Sequence, residues 1–354
     1  AIRMEDGVLT LRGMTINAGY CALFIRGGEA NMSGTTMNST GDYATIQGNG
    51  TCGGDVTIRS GTVSSANNIA IYWPGSGNLT VMDATVTGAT AIYAKQGNVT
   101  ISGGTFRATG EKADFSHSGN GAYATGDAVV LESCDYGTLT ASITYGRFIS
   151  DHGKAVAAYA QPGHTELSGF ITGGHYNTEV DADHLAEGCC AALTGEYYSV
   201  AQHYYFSEVT NPDCENGGYT THTCGRCGDS YVTDEIPALG HDYEAVVTAP
   251  TCTTGGYTTY TCTVCGDSYM DDEVDALGHT PGETKIENKV DATCTEDGSY
   301  DSVICCTVCG EETSRETVTV EAQGHDYEAA VTAPTCTTGG YTIYTCTVCG
   351  DSYM

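Results

Sequence analysis

The sequence has one tryptophan, six phenylalanines and seven prolines in 354 residues, and 13 lysines and arginines against 44 aspartates and glutamates. So few large aromatics exclude a single big aromatic core and point to two or more domains with modest interiors. A formal net charge of −31 at pH 7 excludes roles that need phosphate neutralisation, because nucleic acid or an anionic membrane surface would be repelled. No run of about 18 apolar residues occurs, so no membrane insertion is expected in this segment. The opening AIRMEDGVLTLRG lacks the charged, apolar and small-residue order of a secretory leader and runs directly into a strand-like pattern. The last residues stop inside a repeat. The chain is therefore read as a piece of a longer protein, in which a missing leader says nothing about location. Leucine and the strong helix formers are scarce beside Thr, Val, Tyr and 47 glycines, so strands and turns should dominate.

Between Leu9 and Tyr176 one short pattern returns: LTLRGMTI, NMSGTTM, VTIRSGTV, LTVMDATV, VTISGGTF, ASITYGRF and FITGGHY. Gly13, Gly34, Gly61, Gly104, Gly146 and Gly174 hold one shared place in it, with Ala84 standing in once and an insertion at 107–126. Second strands lie between them, in YATIQG, IAIYWP, AIYAKQG, AVVLES and AVAAYA. Small, β-branched and polar residues alternating at a period of roughly 20 to 28 are what a solenoid of stacked rungs needs, since each rung buries its inward side chains on its neighbours. An antiparallel sandwich would also give evenly spaced strands, but not the same Gly-Thr step after the same apolar pair in rung after rung.

These residues resemble the right-handed parallel β-helix of pectate-lyase-like proteins and of many surface proteins of gut Firmicutes. GGHYNTEVDADHLAEGCCAALTGEYYSV resembles their closing rung, which implies a strand, a short acidic helix and a last strand. The likeness covers roughly the first 195 residues and encodes shape more than chemistry. Enzymes of that kind need clustered carboxylates with a basic residue beside them. Here Asp55, Asp83, Asp127, Asp135 and Asp151 sit mostly at turn positions, and Arg12, Arg59, Arg107 and Arg147 have no acidic pair beside them in sequence. No catalytic residue is assigned, although a site assembled across rungs stays open. A binding face is read instead at Tyr72, Trp73 and Tyr93 on successive second strands, since aromatic faces serve as platforms for sugar rings.

From His203 the composition changes to Cys, Thr, Tyr and Asp. Four units follow: His203, Cys214, Cys224, Cys227; His241, Cys252, Cys262, Cys265; His279, Cys294, Cys306, Cys309; and His325, Cys336, Cys346, Cys349. Three of them obey H-x10-C-x9-C-x2-C, while the third has longer intervals and an extra Cys305. Its insertions suggest loops between fixed ligands. His241, His279 and His325 can also be phased the other way, each following a CxxC. Either phase gives three Cys and one His, which closes a tetrahedral zinc site, whereas disulfides alone would leave a thiol over in each unit or need bonds between units. In CxxCG two thiolates stand on a tight turn whose glycine lets backbone N–H groups face sulfur. Disulfides remain the alternative, because extracellular cysteine-rich modules are normally oxidised. A redox role is set aside, since no thioredoxin-like pattern surrounds CxxC. A unit of about 40 residues is too small to be held by a core alone, so a staple of one kind or the other is required.

The remaining cysteines and histidines carry no ligand assignment. Cys21, Cys52 and Cys134 are read as small interior residues of the solenoid, adjacent Cys189 and Cys190 as unable to pair with each other, and His117, His152, His164 and His175 as turn or strand-edge residues. The repeats, ending in ALGH, resemble tandem cysteine-rich repeats of Firmicute cell-surface proteins. The expectation is an all-β chain: a right-handed parallel β-helix over 1–198, then four cysteine-rich β modules at 199–238, 239–276, 277–322 and 323–354. Its expected role is a non-catalytic extracellular protein at the cell surface or wall. The solenoid presents a face to a glycan or host surface ligand, and the stapled repeats form a stalk. A β-helical polysaccharide lyase or glycoside hydrolase is the alternative.

Overall fold

A computed structural model describes residues 1–116 and 122–354; His117 lies outside the described residues. The first half is a parallel β-solenoid made of three sheets. The recurring pattern straddles a corner: its first half forms strands of a six-stranded sheet and its second half strands of a nine-stranded one, as in Asn78–Val81 followed by Ala84–Gly88. The second strands, such as Ile69–Trp73 and Thr90–Ala94, build a seven-stranded sheet.

The shared glycine is the corner residue. Gly104 has φ +99°, and a Cβ there would run into the carbonyl oxygen of Ala84 one rung back. Glycine alone meets both demands.

Period-two alternation sends every second side chain inward. In-register stacking then turns each inward position into a column: Ile58, Val81, Ile101 and Ile143 in one, Val63, Val86, Phe106, Phe148 and Tyr176 in another. In the second column Phe106 and Phe148 stack at 5.0 Å, and Phe148 and Tyr176 at 4.8 Å. Offset ring pairs of this kind add about 0.5–1.5 kcal/mol beyond area burial. A single continuous core results, running from Met4 to Val200.

The closing rung differs from its expected form. Its acidic helix is one 3-10 turn, Ala182–His184, and it ends in two strands, Cys189–Thr194 and Tyr197–Gln202. This hairpin adds to the nine-stranded sheet antiparallel to Gly174–Tyr176, which ends the parallel stacking. Of the three cysteines read as interior, only Cys134 is buried; Cys21 and Cys52 are partly exposed, Cys21 with its thiol donating to the Leu23 carbonyl at 3.0 Å.

The second half comprises four antiparallel three-stranded modules. In the second, Tyr243–Thr248, Gly256–Cys262 and Ser268–Val274 pair in that order. The third has longer strands, Pro281–Val290, Gly298–Cys306 and Glu312–Val320. Its extra residues therefore lengthen strands and not loops, because residues added to both sides of an antiparallel pair find partners in each other. Apart from cysteines, the modules bury little more than Val303 and Thr258.

By compactness the chain forms two units, Ala1–Thr210 with Tyr219–Glu235, and Asn211–Gly218 with Ile236–Met354.

Candidate metal centres

The central strand of each module ends on the first cysteine of CxxC, at Cys224, Cys262, Cys306 and Cys346. A tight turn follows. In the second module the Gly266 N–H donates to the Cys262 carbonyl at 3.0 Å with Gly266 at φ +77°, and the Cys262 N–H donates to the Asp267 carbonyl at 2.7 Å. The same bonds recur at the other three turns.

This geometry aims amides at sulfur. Cys262 is lowered to about 6, first by the N–H of Cys265, against burial. Cys306 and Cys346 are lowered to about 5 and about 6 by the corresponding amides of Cys309 and Cys349. At Cys224 burial is the largest influence and pushes the thiol up, but the N–H groups of Cys227, Tyr204 and Arg226 with the His203 ring outweigh it and leave the group at about 5. A knuckle that stabilises thiolate is one prepared for a cation.

The histidine comes just before each module's first strand and turns its Nδ1 toward the second knuckle cysteine. The Sγ to Nδ1 distances are 3.5 Å for Cys227 and His203, 3.3 Å for Cys265 and His241, 3.4 Å for Cys309 and His279, and 3.3 Å for Cys349 and His325.

The fourth donor does not come from the same module. Cys214 stands with His241, Cys262 and Cys265; Cys252 with His279, Cys306 and Cys309; and Cys294 with His325, Cys346 and Cys349. Its Sγ lies 3.8 Å from the first knuckle sulfur in all three cases. Backbone bonds explain the crossing. The linker that leads into the next histidine folds back on the loop that carries the cysteine, with the Leu239 N–H donating to the Asp213 carbonyl at 2.9 Å and the Gly240 N–H to the Cys214 carbonyl at 3.1 Å. The pair of residues before His241 is thereby fixed beside Cys214.

The first group takes its fourth donor from the solenoid. Cys190, on the closing hairpin, stands with His203, Cys224 and Cys227, and the His203 N–H donates to the Gly188 carbonyl at 2.9 Å. Cys190 carried no assignment in the sequence reading. Of the sixteen residues grouped there by repeat, fifteen stand in these groups, each histidine with its own CxxC and the first cysteine of a repeat passed to the next, while exposed Cys336 stands in none of the four groups. In each group the four donor atoms all lie within 4.8 Å of one another. No cysteine is disulfide-bonded among the described residues, and the sulfur separations are those of donors around a common ion, far from the roughly 2.05 Å of a disulfide. The arrangement can hold a metal ion.

A second layer supports the histidines. Tyr205, Tyr243 and Tyr327, two residues after His203, His241 and His325, stack on them at 5.1 to 5.2 Å. Each tyrosine hydroxyl then donates to the aspartate that follows CxxCG, Asp229, Asp267 or Asp351, at 2.8 to 2.9 Å. The third module has Pro281 in place of the tyrosine and Glu311 in place of the aspartate, and there the glutamate itself comes within 3.7 Å of His279 Nε2. Outer partners of this sort fix ring orientation. The H-x-Y and CGD spacings were the signal for them.

On the solenoid, Trp73 is 1% exposed and points into the core, with Nε1 donating to the Gly77 carbonyl at 3.2 Å. Tyr93 is 2% exposed, and its hydroxyl donates to Glu132 at 2.6 Å. Neither ring offers a face to a ligand. Tyr72 and Trp73 are neighbours on one strand and so point to opposite sides of it; Tyr72 lies on the outer side of the sheet but is itself buried, 8% exposed, in a cluster with Ile69, Tyr93 and Val130. It borders a cleft of about 630 Å³ that also holds Gln47 and Tyr136. Sequence reasoning missed those two, because nothing local marks residues brought together across rungs. No protein-family model matches the chain, and no curated protein matches it.

Proposed function

We propose that this chain is a non-catalytic extracellular surface protein of the adhesion class, in which a pectate-lyase-like solenoid presents a ligand-binding face and is carried on zinc-stapled repeats. The observation that carries the metal part is the donor geometry. Zn–S bonds of about 2.3 Å at the tetrahedral angle put two sulfurs about 3.8 Å apart, and a Zn–N bond of about 2.05 Å brings nitrogen to about 3.6 Å from sulfur. Sulfur pairs 3.8 Å apart in three groups and sulfur–nitrogen pairs 3.3 to 3.5 Å apart in all four match those spacings closely. Three thiolates and one imidazole also suit zinc over calcium or magnesium, which prefer oxygen. Zinc in these sites would hold together modules that bury almost no apolar core.

Metal analysis with a free-thiol count on the whole chain, purified without chelator, tests this. About four zinc ions per chain are expected, with thiols that become reactive only after chelation. A metal-free protein whose repeat cysteines resist alkylation until reduced would replace zinc with disulfides.

A second reading, a β-helical polysaccharide lyase or glycoside hydrolase, draws support from one pair. Glu29 and Asp55 are register partners one rung apart on the six-stranded sheet, and Glu29 shares a cleft with Arg12 and Arg59. Against it, Glu29 accepts from Asn31 at 2.7 Å and Asp55 accepts twice from Asn78, at 2.8 and 2.9 Å, which is the work of structural carboxylates. Polysaccharide turnover abolished by Glu29→Gln would establish the enzyme; no turnover favours the first reading.

A further inference from the structure

We infer that the cleft beside Tyr72 is a binding site for a neutral oligosaccharide laid across the rungs of the solenoid, an inference that rests on the display reading above and gives it a location and a ligand class. Phe24, Gln47, Tyr72 and Tyr93 are successive register partners on the seven-stranded sheet. Their side chains therefore form one row on its outer surface, stepping by about 4.8 Å per rung. Phe115, Ala122, Ala124 and Tyr159 pack against a cluster on this surface that holds Ile69, Tyr72, Tyr93 and Val130. Toward the other end, Phe24, Gln47 and Tyr72 line the cleft together with Pro74, Thr51 and Tyr136. An aromatic, an amide and a second aromatic follow one another at the spacing of the rungs.

The floor is held rigid from behind. Tyr72 is hydrogen-bonded to Tyr136, and the Tyr136 ring carries Lys95 Nζ at 5.5 Å from its centroid. Lys95 is fully buried and paired with buried Glu132 at 3.2 Å. A site built on fixed rings loses little conformational freedom when it binds.

The lining selects the ligand's charge. Among the described residues no lysine or arginine lines the cleft, and Lys95, against the Tyr136 ring, is committed to Glu132. Among the described residues the one charged group in the wall is the carboxylate of Asp135, which meets His164 Nε2 at 2.9 Å. With a chain charge of −31, sulfated, uronic or sialylated ligands are repelled. A purely apolar ligand would leave the Gln47 amide and the Thr51 hydroxyl without partners, which is unfavourable. A neutral sugar satisfies both demands, since its hydroxyls donate and accept and its C–H face can rest on the half-buried Phe24 and Tyr136 rings.

Calorimetric titration of the whole zinc-loaded chain tests this, using neutral hexose and N-acetylhexosamine oligosaccharides of three to six units and their uronic or sialylated counterparts. At least one neutral oligosaccharide is expected to bind and the acidic ones to be rejected. Gln47→Ala should weaken binding about tenfold through the loss of one hydrogen bond, and Thr51→Trp, at an exposed position, should block the cleft. Unchanged circular dichroism and zinc content in both variants show that the fold is intact. Binding that survives both variants, a preference for acidic sugars, or no binding to any neutral member overturns the assignment of this cleft. Product analysis of the same mixtures reports separately on the parent reading: cleavage of the sugar overturns the non-catalytic display protein, even where the variants confirm the cleft.

Discussion

Cys214, Cys252 and Cys294 each face a knuckle in the module after their own, so one thiol serves both as a metal donor and as a tether between neighbours. Nothing about such a residue is visible within its own repeat. Its environment is also distinct: burial, and then the adjacent knuckle sulfurs, push Cys214 and Cys294 up to about 12 and Cys252 to about 11. These thiols keep their protons until a cation replaces them. A closed four-donor site with one donor removed binds zinc far more weakly. Cys214→Ser should therefore lose the zinc held by His241, Cys262 and Cys265, and Cys190→Ser the zinc held by His203, Cys224 and Cys227. Each variant should lower the count per chain by about one. Cys336→Ser, outside all four groups, should leave it unchanged. Metal analysis of the three variants decides the point, and a zinc lost from Cys336→Ser together with a full complement in Cys190→Ser would mean that donors group within repeats after all.

At the scale of the element, the knuckle hairpin and the crossing loop respond to pH in opposite directions. With metal chelated and thiols reduced, the ordinary thiol value is 9.0, Cys262 in the folded module lies at about 6 and Cys214 at about 12. As pH falls from 9 toward 6 the unfolded chain binds a proton at Cys262 that the folded one does not, so stability declines. As pH rises above 9 the unfolded chain loses a proton at Cys214 that the folded one keeps, so stability declines again. The unfolding midpoint of the metal-free repeats should peak near pH 9, the reference value for both thiols. Thermal melts between about pH 6 and about pH 10 in chelator and reductant read this directly, and a midpoint that climbs steadily through pH 10 is incompatible with it. The solenoid strands were legible in sequence because period-two alternation and the corner glycine are local signals, and the rung stacking simply repeats them. The knuckles were legible for the same reason. What was not legible depends on contacts between elements: the crossing of Cys214 follows from the Leu239 and Gly240 amides binding the Asp213 and Cys214 carbonyls, and the burial of Tyr72 and Tyr93 from the cluster they form with Ile69 and Val130, against which Phe115, Ala122 and Ala124 pack. The longer third module misled for a related reason, since residues inserted opposite each other extend a ladder and leave the loops alone.

At the scale of the whole molecule, the two halves are stabilised by different means. The solenoid buries one continuous core from Met4 to Val200, with columns of aliphatic and aromatic side chains, and fully burying one Val, Leu, Ile or Phe side chain contributes about 1.5–3 kcal/mol. The repeats have no comparable interior. Their aromatic ladders, such as His241, Tyr243, Tyr269 and Tyr260 in the second module, lie on sheets with both faces largely open, and most of their buried side chains are the cysteines themselves. Removing metal should therefore destabilise the repeats far more than the solenoid, so that heating in excess chelator gives two separate transitions, the repeats melting first, where the metal-loaded repeats stay folded to higher temperature. The closing hairpin survives this treatment, because Tyr197–Gln202 is paired into the nine-stranded sheet by its own backbone bonds to Gly174–Tyr176 as well as to Cys189–Thr194, and these do not depend on Cys190 holding an ion. Calorimetry with and without chelator, followed by limited proteolysis at a temperature between the two transitions, should leave a protected fragment that ends just beyond Gln202. One transition shared by both halves, with the solenoid digested at the same rate as the repeats, would mean that the first metal group, which joins Cys190 to the first module, couples the two halves into one cooperative fold.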